Sequence, residues 1–233
     1  MTGGAAASEF HYAGDELALF GKAAGWKQYW RSLIEPYVRG NVLEVGAGIG
    51  SNAELLRSLP HGRWTCLEPD AQLAARIPAC PARNVIVGKI AGVAQTFDTI
   101  LYADVLEHIE DDLAELSRAA LCLRPGGCLI ILAPAHAFLY SLTDASVGHF
   151  RRYSSETLRA TAPRAFNLET MKYVDSVGLL ASLANRFVLK QSTPTEGQIL
   201  AWDRLMIPAS RALDRALGYR VGKSVLAVWR CPP

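Results

Sequence analysis

The feature that most constrains this chain is Val42-Leu43-Glu44-Val45-Gly46-Ala47-Gly48-Ile49-Gly50. An apolar run leads straight into a glycine-rich turn, and a helical pattern, Ser51–Leu59, follows it. Glycines let backbone approach a ligand closely and take conformations closed to other residues. In dinucleotide folds such a turn presents helix N–H groups to a pyrophosphate. Here the spacing is G-x-G-x-G rather than G-x-G-x-x-G, and Glu44 stands two residues before the first glycine. A carboxylate facing the ligand repels a pyrophosphate and suits a cation or an amine. The next apolar run ends in Cys66-Leu67-Glu68-Pro69-Asp70. Glu68 lies about 20 residues beyond the loop, where an acid can accept both ribose hydroxyls. The plainer alternative is a tight strand-to-helix turn plus a helix-capping acid.

Short apolar runs alternate with helical patterns along the middle of the chain. Asn41–Val45, Trp64–Leu67, Val85–Val87, Thr99–Tyr102 and Leu129–Leu132 read as buried strands. Ser51–Leu59, Asp70–Arg76 and Asp111–Leu123 read as helices between them, the last ended by the turn Pro125-Gly126-Gly127. Such alternation predicts an α/β fold, a mostly parallel sheet with helices on both faces. Later come a helix opened by Ser154, a strand at Met171–Val174, a Leu/Ala-rich helical region and a last strand, Ser224–Arg230.

At the glycine loop and Glu68 the chain resembles the Rossmann-like S-adenosylmethionine (SAM)-dependent methyltransferases, in a bacterial small-molecule branch. Two further segments carry the resemblance. Phe97-Asp98-Thr99-Ile100-Leu101-Tyr102-Ala103-Asp104-Val105-Leu106-Glu107-His108 is similar to the family's F-D-x-I-x-x-x-x-V-L-E-H-I stretch, and Leu123-Arg124-Pro125-Gly126-Gly127 to its L-x-P-G-G. The resemblance implies a Rossmann-like seven-stranded sheet with an antiparallel last strand. It implies SAM as cofactor and S-adenosylhomocysteine (SAH) as product. Glu44, Gly46, Ala47, Gly48 and Gly50 would lie along the amino-acid part, Glu68 and Pro69 at the ribose. Tyr102, Ala103, Asp104 and Val105 would border the methionine and sulfonium. Many members follow the third strand with Gly-Asp, the acid lying near the adenine amine; here Gly88 precedes Lys89. Backbone at Ile90 or Ala91 would then serve the adenine.

The substrate side begins where Ala133-Pro134-Ala135-His136 leaves the fifth strand at its carboxyl end, where open α/β sheets bind ligands. Tyr140 to Tyr153 resembles a D-x-x-x-G-H-x-R-R-Y segment of that bacterial branch. His149 could take a proton from a substrate hydroxyl, amine or thiol, since its ordinary pKa is near neutral. Asp144 could orient it, and Arg151 or Arg152 could hold a carboxylate in a fork. Tyr140 and Tyr153 would line the acceptor pocket. Alternatively Asp144, His149 and Arg152 only tie the loop to the domain. His136 either faces the methyl group or caps the strand, while His108 reads as structural and His11 and His61 as surface residues.

The chain of 233 residues suits one domain with an elaboration. Its expected division is a helical lead over 10–37, a SAM-binding core over 41–132, and a substrate-side half over 133–233. That half contains a helical insertion at 175–223, far longer than a hairpin turn. Pro194 and Gly197 are expected to break the insertion into two pieces and Pro208 to kink the second. It would supply core packing, a wall of an apolar substrate pocket, or a dimer face. Tyr12, Trp26 and Trp30, with Phe10 and Phe20, could form a lid over the SAM site, or pack as an ordinary helix.

Lys+Arg 24 against Asp+Glu 22 leaves a net charge of +2, too balanced for a dedicated nucleic-acid binder. Residues Met1–Ser8 lack the layout of a secretory signal, and no apolar run is long enough to span a bilayer. Cys66, Cys80, Cys122, Cys128 and Cys231 show no C-x-x-C spacing and read as small apolar fillers. The expectation is a cytoplasmic monomer or homodimer without a metal site. It would methylate a small apolar secondary metabolite, with oxygen the lead acceptor and nitrogen or sulfur behind. An NAD-type oxidoreductase and a non-catalytic SAM-binding protein are the rivals.

Overall fold

The computed structural model describes residues 23–184 and 195–233. Phe10, His11, Tyr12, Phe20 and Pro194 lie outside the described residues. A first helix, α1 (Ala24–Ile34), leads into β1 (Val42–Val45), α2 (Ser51–Leu55) and β2 (Trp64–Glu68). There follow α3 (Ala71–Ala74), β3 (Arg83–Val87), β4 (Phe97–Ala103), α4 (Asp112–Leu121) and β5 (Leu123–Pro134). Two short helices, α5 (Leu142–Ser146) and α6 (Ser155–Thr161), precede β6 (Asn167–Val174). The insertion is α7 (Ser176–Ala184), α8 (Glu196–Ala201), a π-helical turn at Trp202–Met206 and α9 (Ile207–Ala216), before β7 (Ser224–Arg230).

One seven-stranded sheet runs β3-β2-β1-β4-β5-β7-β6. All neighbours pair in parallel except β7, which lies antiparallel between β5 and β6. The expected fold is therefore the observed one. The order reverses between β1 and β4, so their carboxyl ends open a crevice at the switch point.

Both faces of the central strands are covered, whereas the edge strand β3, expected to be buried, leaves Val85 43% and Val87 57% exposed. Val42, Cys66, Leu101, Ile130 and Val228 face a cluster holding Trp26, Trp30 and Ile34 of α1. Leu43, Leu67, Ile100, Ile131 and Ala227 face a second cluster holding Leu116 and Ala119 of α4 and Tyr153. Period-two alternation with apolar residues on both sides is why these strands read as continuous hydrophobic runs.

Several elements differ from their expected bounds. The turn at Pro125-Gly126-Gly127 lies inside β5, where Phe97 pairs with Leu123 but Thr99 already pairs with Cys128. Extra residues bulge out there, with Gly126 at φ +72°. Helices α2 and α3 stop earlier than the apolar pattern suggested, the second capped by Asp70, whose carboxylate accepts from Gln72 and Leu73 N–H. Gly197 does not break the insertion; it sits in the first turn of α8, capped by the Thr195–Gln198 box. Pro208 falls in the first turn of α9, where a missing N–H costs nothing.

The insertion grips α1. Asp203 accepts from Gly25 N–H at 2.9 Å and Trp26 N–H at 2.7 Å, capping a helix 178 residues away. Asp214 accepts from Tyr29 Oη at 2.6 Å and from the N–H groups of Asp175 and Ser176. Asp175 in turn accepts from Gly178 N–H, Ser210 Oγ and Trp202 Nε1.

Candidate active site

The glycine loop follows β1 with Gly46, Gly48 and Gly50 at φ +66°, +56° and +80°. L-residues with a Cβ resist that region. A Cβ at Gly46 would also come within 2.6 Å of Val105, which places the end of β4 directly against the loop. The N–H groups of Gly46 and Ala47 donate to Leu67 O, stitching the loop to β2.

Glu44 is 1% exposed. Its Oε2 accepts from Trp64 Nε1 at 2.8 Å, while its Oε1 is buried without a hydrogen-bond partner. Burial pushes its pKa up to about 7, against the pull of Trp64, Arg83, Asn52 and Lys27. Lys27 of α1 lies close enough to feel both Glu44 and Asp104. Glu68 accepts from Gly48 N–H at 2.7 Å and Asp70 N–H at 3.0 Å, so its carboxylate is fixed against the loop.

Asp104 follows β4 at φ +55°. It is exposed, yet crowding protein raises its pKa to about 6 against the pull of His149, Lys223 and Lys27. A group that is crowded and still meets solvent lines a concavity. Lys223 approaches from the start of β7, its Nζ 5.5 Å from the centre of the Trp202 ring, and Trp202 stands 5.8 Å from Trp26.

Beside Asp104, His149 is fixed by Asp144. His149 Nδ1 lies 2.9 Å from Asp144 Oδ1, and Tyr140 Oη donates to His149 O at 2.6 Å. Asp144 is 2% exposed and also closes a capping box with Ser141. Desolvation alone would raise its pKa; hydrogen bonds from His149 and Arg152 outweigh that and hold it below the ordinary carboxylate range.

The structure brings together Glu44, Gly46, Ala47, Gly48, Gly50, Glu68, Asp104, Val105, Asp144 and His149 around the carboxyl ends of β1 and β4. It takes others away. Arg152 spends its fork on Asp144, with Nε at 2.8 Å and Nη2 at 3.0 Å, so it ties the loop rather than waiting for a carboxylate. Arg151 pairs with Asp112 at 2.8 Å and with Glu110 O. Tyr153 is 1% exposed and donates to Asp112 at 2.7 Å, on the far face of the sheet. Tyr102 points to that same face and donates to Glu115, leaving only its backbone near the crevice. His136 stacks between Phe138 and Tyr173 and bonds Gly222 O at 2.9 Å; it caps the strand end. Trp30, 2% exposed, is core rather than lid, and Trp26 packs on Trp202. Ile90 is buried in the second cluster, while Pro69 and Lys89 are exposed and Gly88 faces open space. Lys27, Trp202 and Lys223 gave no local motif, because the tertiary fold alone brings them to the crevice. Glu107 stood inside a quoted motif without a role.

These residues fit SAM. Glu68 is aligned for a ribose, the bare Gly46 leaves room for close approach, and the orphaned Glu44 oxygen suits a cationic amine. A family model for the methyltransferase domain matches residues 17–173. The chain is 43% identical over 54 residues to a ubiquinone biosynthesis O-methyltransferase of Parvibaculum lavamentivorans, a match that covers 21% of each chain. The match thus spans about a fifth of that curated relative's length. Among solved structures, it is similar to a chain from the complex between the Haloferax volcanii Trm112 methyltransferase activator and a methyltransferase. That likeness has a TM-score of 0.64 at 16% identity, over 96% of this chain and 99% of the other. It is similar also to the N-methyltransferase NodS of Bradyrhizobium japonicum, with a TM-score of 0.56 at 17% identity over 91% and 97%. A phosphoethanolamine N-methyltransferase 2 of Haemonchus contortus, solved with SAM, gives a TM-score of 0.63 at 15% identity over 94% and 57%. With the methyltransferase-domain model matched over more than half its length, the chain belongs to the SAM-dependent methyltransferases of the Rossmann-like class.

Proposed function

We propose that this methyltransferase methylates the hydroxyl oxygen of a small, largely apolar molecule, in the manner of a secondary-metabolite enzyme. The observation that carries the reading is the Asp144–His149 pair at the rim of the crevice, 2.9 Å apart. Asp144 accepts from Nδ1–H, which fixes the tautomer and leaves the Nε2 lone pair for a proton. A hydroxyl needs such a group; a thiolate or free amine reacts with positioning alone.

SAM, when bound, supplies an already activated methyl group. The chain's own residues do the rest. Glu68, held by Gly48 and Asp70 N–H, positions the ribose, and the bare glycine loop with ionised Glu44 suits the amino-acid end. His149 takes the acceptor's proton as its oxygen forms the new bond. Trp202, packed on the core residue Trp26, supplies apolar wall that keeps water from the reacting atoms. Methyl acceptors carried on a polyanion are disfavoured by the exposed carboxylate of Asp104 at this end.

The Asp104 carboxylate also supports a second reading, in which it holds an amine for N-methylation. Incubating the protein with SAM and panels of phenols, alcohols and amines, followed by mass detection of one added methylene, separates the two. Phenol turnover that collapses in His149→Ala with SAH affinity intact supports the first. Amine turnover indifferent to His149→Ala selects the second.

A further inference from the structure

Glu107, His108 and His149 each place one ligand-type atom within 4.8 Å of the other two. They come from two segments: the 3₁₀ turn Leu106–His108 after β4, and the loop that precedes α6. The segments are locked together, since Phe150 N–H donates to Glu107 O at 2.8 Å and the two imidazoles meet edge to face at 4.5 Å.

Glu107 is 1% exposed, and its Oε2 is buried without a hydrogen-bond partner. A buried polar oxygen left unsatisfied costs stability, so its persistence asks for a function. Its Oε1 stands 3.9 Å from His149 Nε2. That is too far for a hydrogen bond. It is near the separation of two ligands of one ion, roughly 3–4 Å when each bond is about 2.0–2.2 Å.

The supporting shell has the form of a metal site. A ligating histidine characteristically donates its other ring N–H to a carboxylate, which sets the tautomer and strengthens the ligand. His149 does this to Asp144, which Arg152 and Ser141 hold in turn.

We propose that Glu107, His108 and His149 form a binding site for one divalent first-row transition-metal ion. Two imidazoles and one carboxylate favour zinc, iron(II), cobalt, nickel or manganese over calcium, which prefers oxygen ligands throughout. Three protein ligands leave positions open for an acceptor oxygen, so the ion would lower that hydroxyl's pKa, its proton leaving to solvent water before the oxygen takes the methyl. This departs from the expectation that the chain has no metal site. The ion's part in methyl transfer rests on the function proposed above; its binding does not. One lone pair at Nε2 cannot hold an ion and take a proton together, so a metal-loaded enzyme would not use His149 as its base.

The test uses the untagged full chain, stripped with EDTA and dialysed. Titration with Zn²⁺, Co²⁺, Mn²⁺ and Mg²⁺ is followed by calorimetry, elemental analysis and, for Co²⁺, visible absorption. One ion per chain is expected, with Mg²⁺ the weakest. Glu107→Gln and His149→Gln should each weaken binding on the order of a hundredfold, and Asp144→Asn on the order of tenfold or more through the histidine it orients. SAH affinity, measured on the same samples, reports that each variant is folded. Substoichiometric binding, or affinity unchanged in both ligand variants while SAH still binds, overturns the site. Metal binding without SAH binding would leave the site standing and sink the methyltransferase mechanism instead.

Discussion

At the scale of single residues, Glu44 shows how burial converts a common acid into one that titrates near neutral pH. Its folded-state pKa of about 7 lies above the ordinary 4.5. Between those values the folded chain binds more protons than the unfolded chain, so stability falls as pH rises through that window. At about 1.4 kcal/mol per unit the loss amounts to roughly 3 kcal/mol. Urea denaturation at pH 5 and pH 8 should show it, and Glu44→Gln should flatten it. A bound cationic amine favours the ionised form, so SAM binding should release a proton near pH 6.5. Calorimetry in two buffers of different ionisation enthalpy reads that release directly. Glu68 is the second such residue. Glu68→Ala removes a charged hydrogen-bond acceptor and should weaken SAH about 10- to 100-fold. It also frees Gly48 N–H, so its melting temperature should fall as well. Both acids were legible in the sequence because strand, glycine turn and next strand fix their places within about 25 residues. The roles of Arg151 and Arg152 were not. Adjacent arginines look alike in a sequence, and only the folded loop shows that one meets Asp112 and the other Asp144.

At the scale of elements, the insertion works on α1 as much as on the crevice. Helix α1 has no capping side chain of its own, and Asp203 supplies the missing acceptor from the π-helical turn. An N-cap acceptor contributes about 0.5–2 kcal/mol. Asp203→Ala should therefore lower stability by about that much and loosen the Trp26–Trp202 contact, visible as a change in near-ultraviolet circular dichroism. The Asp214→Asn change should cost more, since Asp214 serves a buried hydroxyl and two backbone N–H groups. The sequence announced that an insertion existed, from the distance between Val174 and Ser224. It could not announce the clamp, because its partners lie about 180 residues apart and no local pattern links them. For the same reason Trp26 and Trp30, at helical spacing, left lid and core open; burial against the sheet decides for core.

At the scale of the whole molecule, the site exists because the strand order reverses between β1 and β4. That reversal sets the glycine loop against Val105 and brings Asp104 beside it, although the residues are about 60 apart in sequence. Alternating runs made the sheet legible, and the glycine turn after β1 marked the switch point where the proposed cofactor half of the site lies. The acceptor half depends on two loops and an insertion whose packing no periodicity encodes. The division has a measurable consequence. A ligand that binds only the folded chain at a hundred times its Kd adds about 2.7 kcal/mol of stability. In a chain of this size each kcal/mol moves Tm by about 2–4 °C. SAH should therefore raise Tm by about 5–11 °C, and reduced nicotinamide dinucleotide at the same concentration should not. In Gly46→Val the added side chain meets Val105 in a left-handed backbone position, so the chain should melt lower and lose the SAH shift. A nicotinamide shift matching that of SAH would contradict the acid-led reading of the loop. A full SAH shift in Gly46→Val would show that the cofactor lies elsewhere than along the β1–β4 crevice.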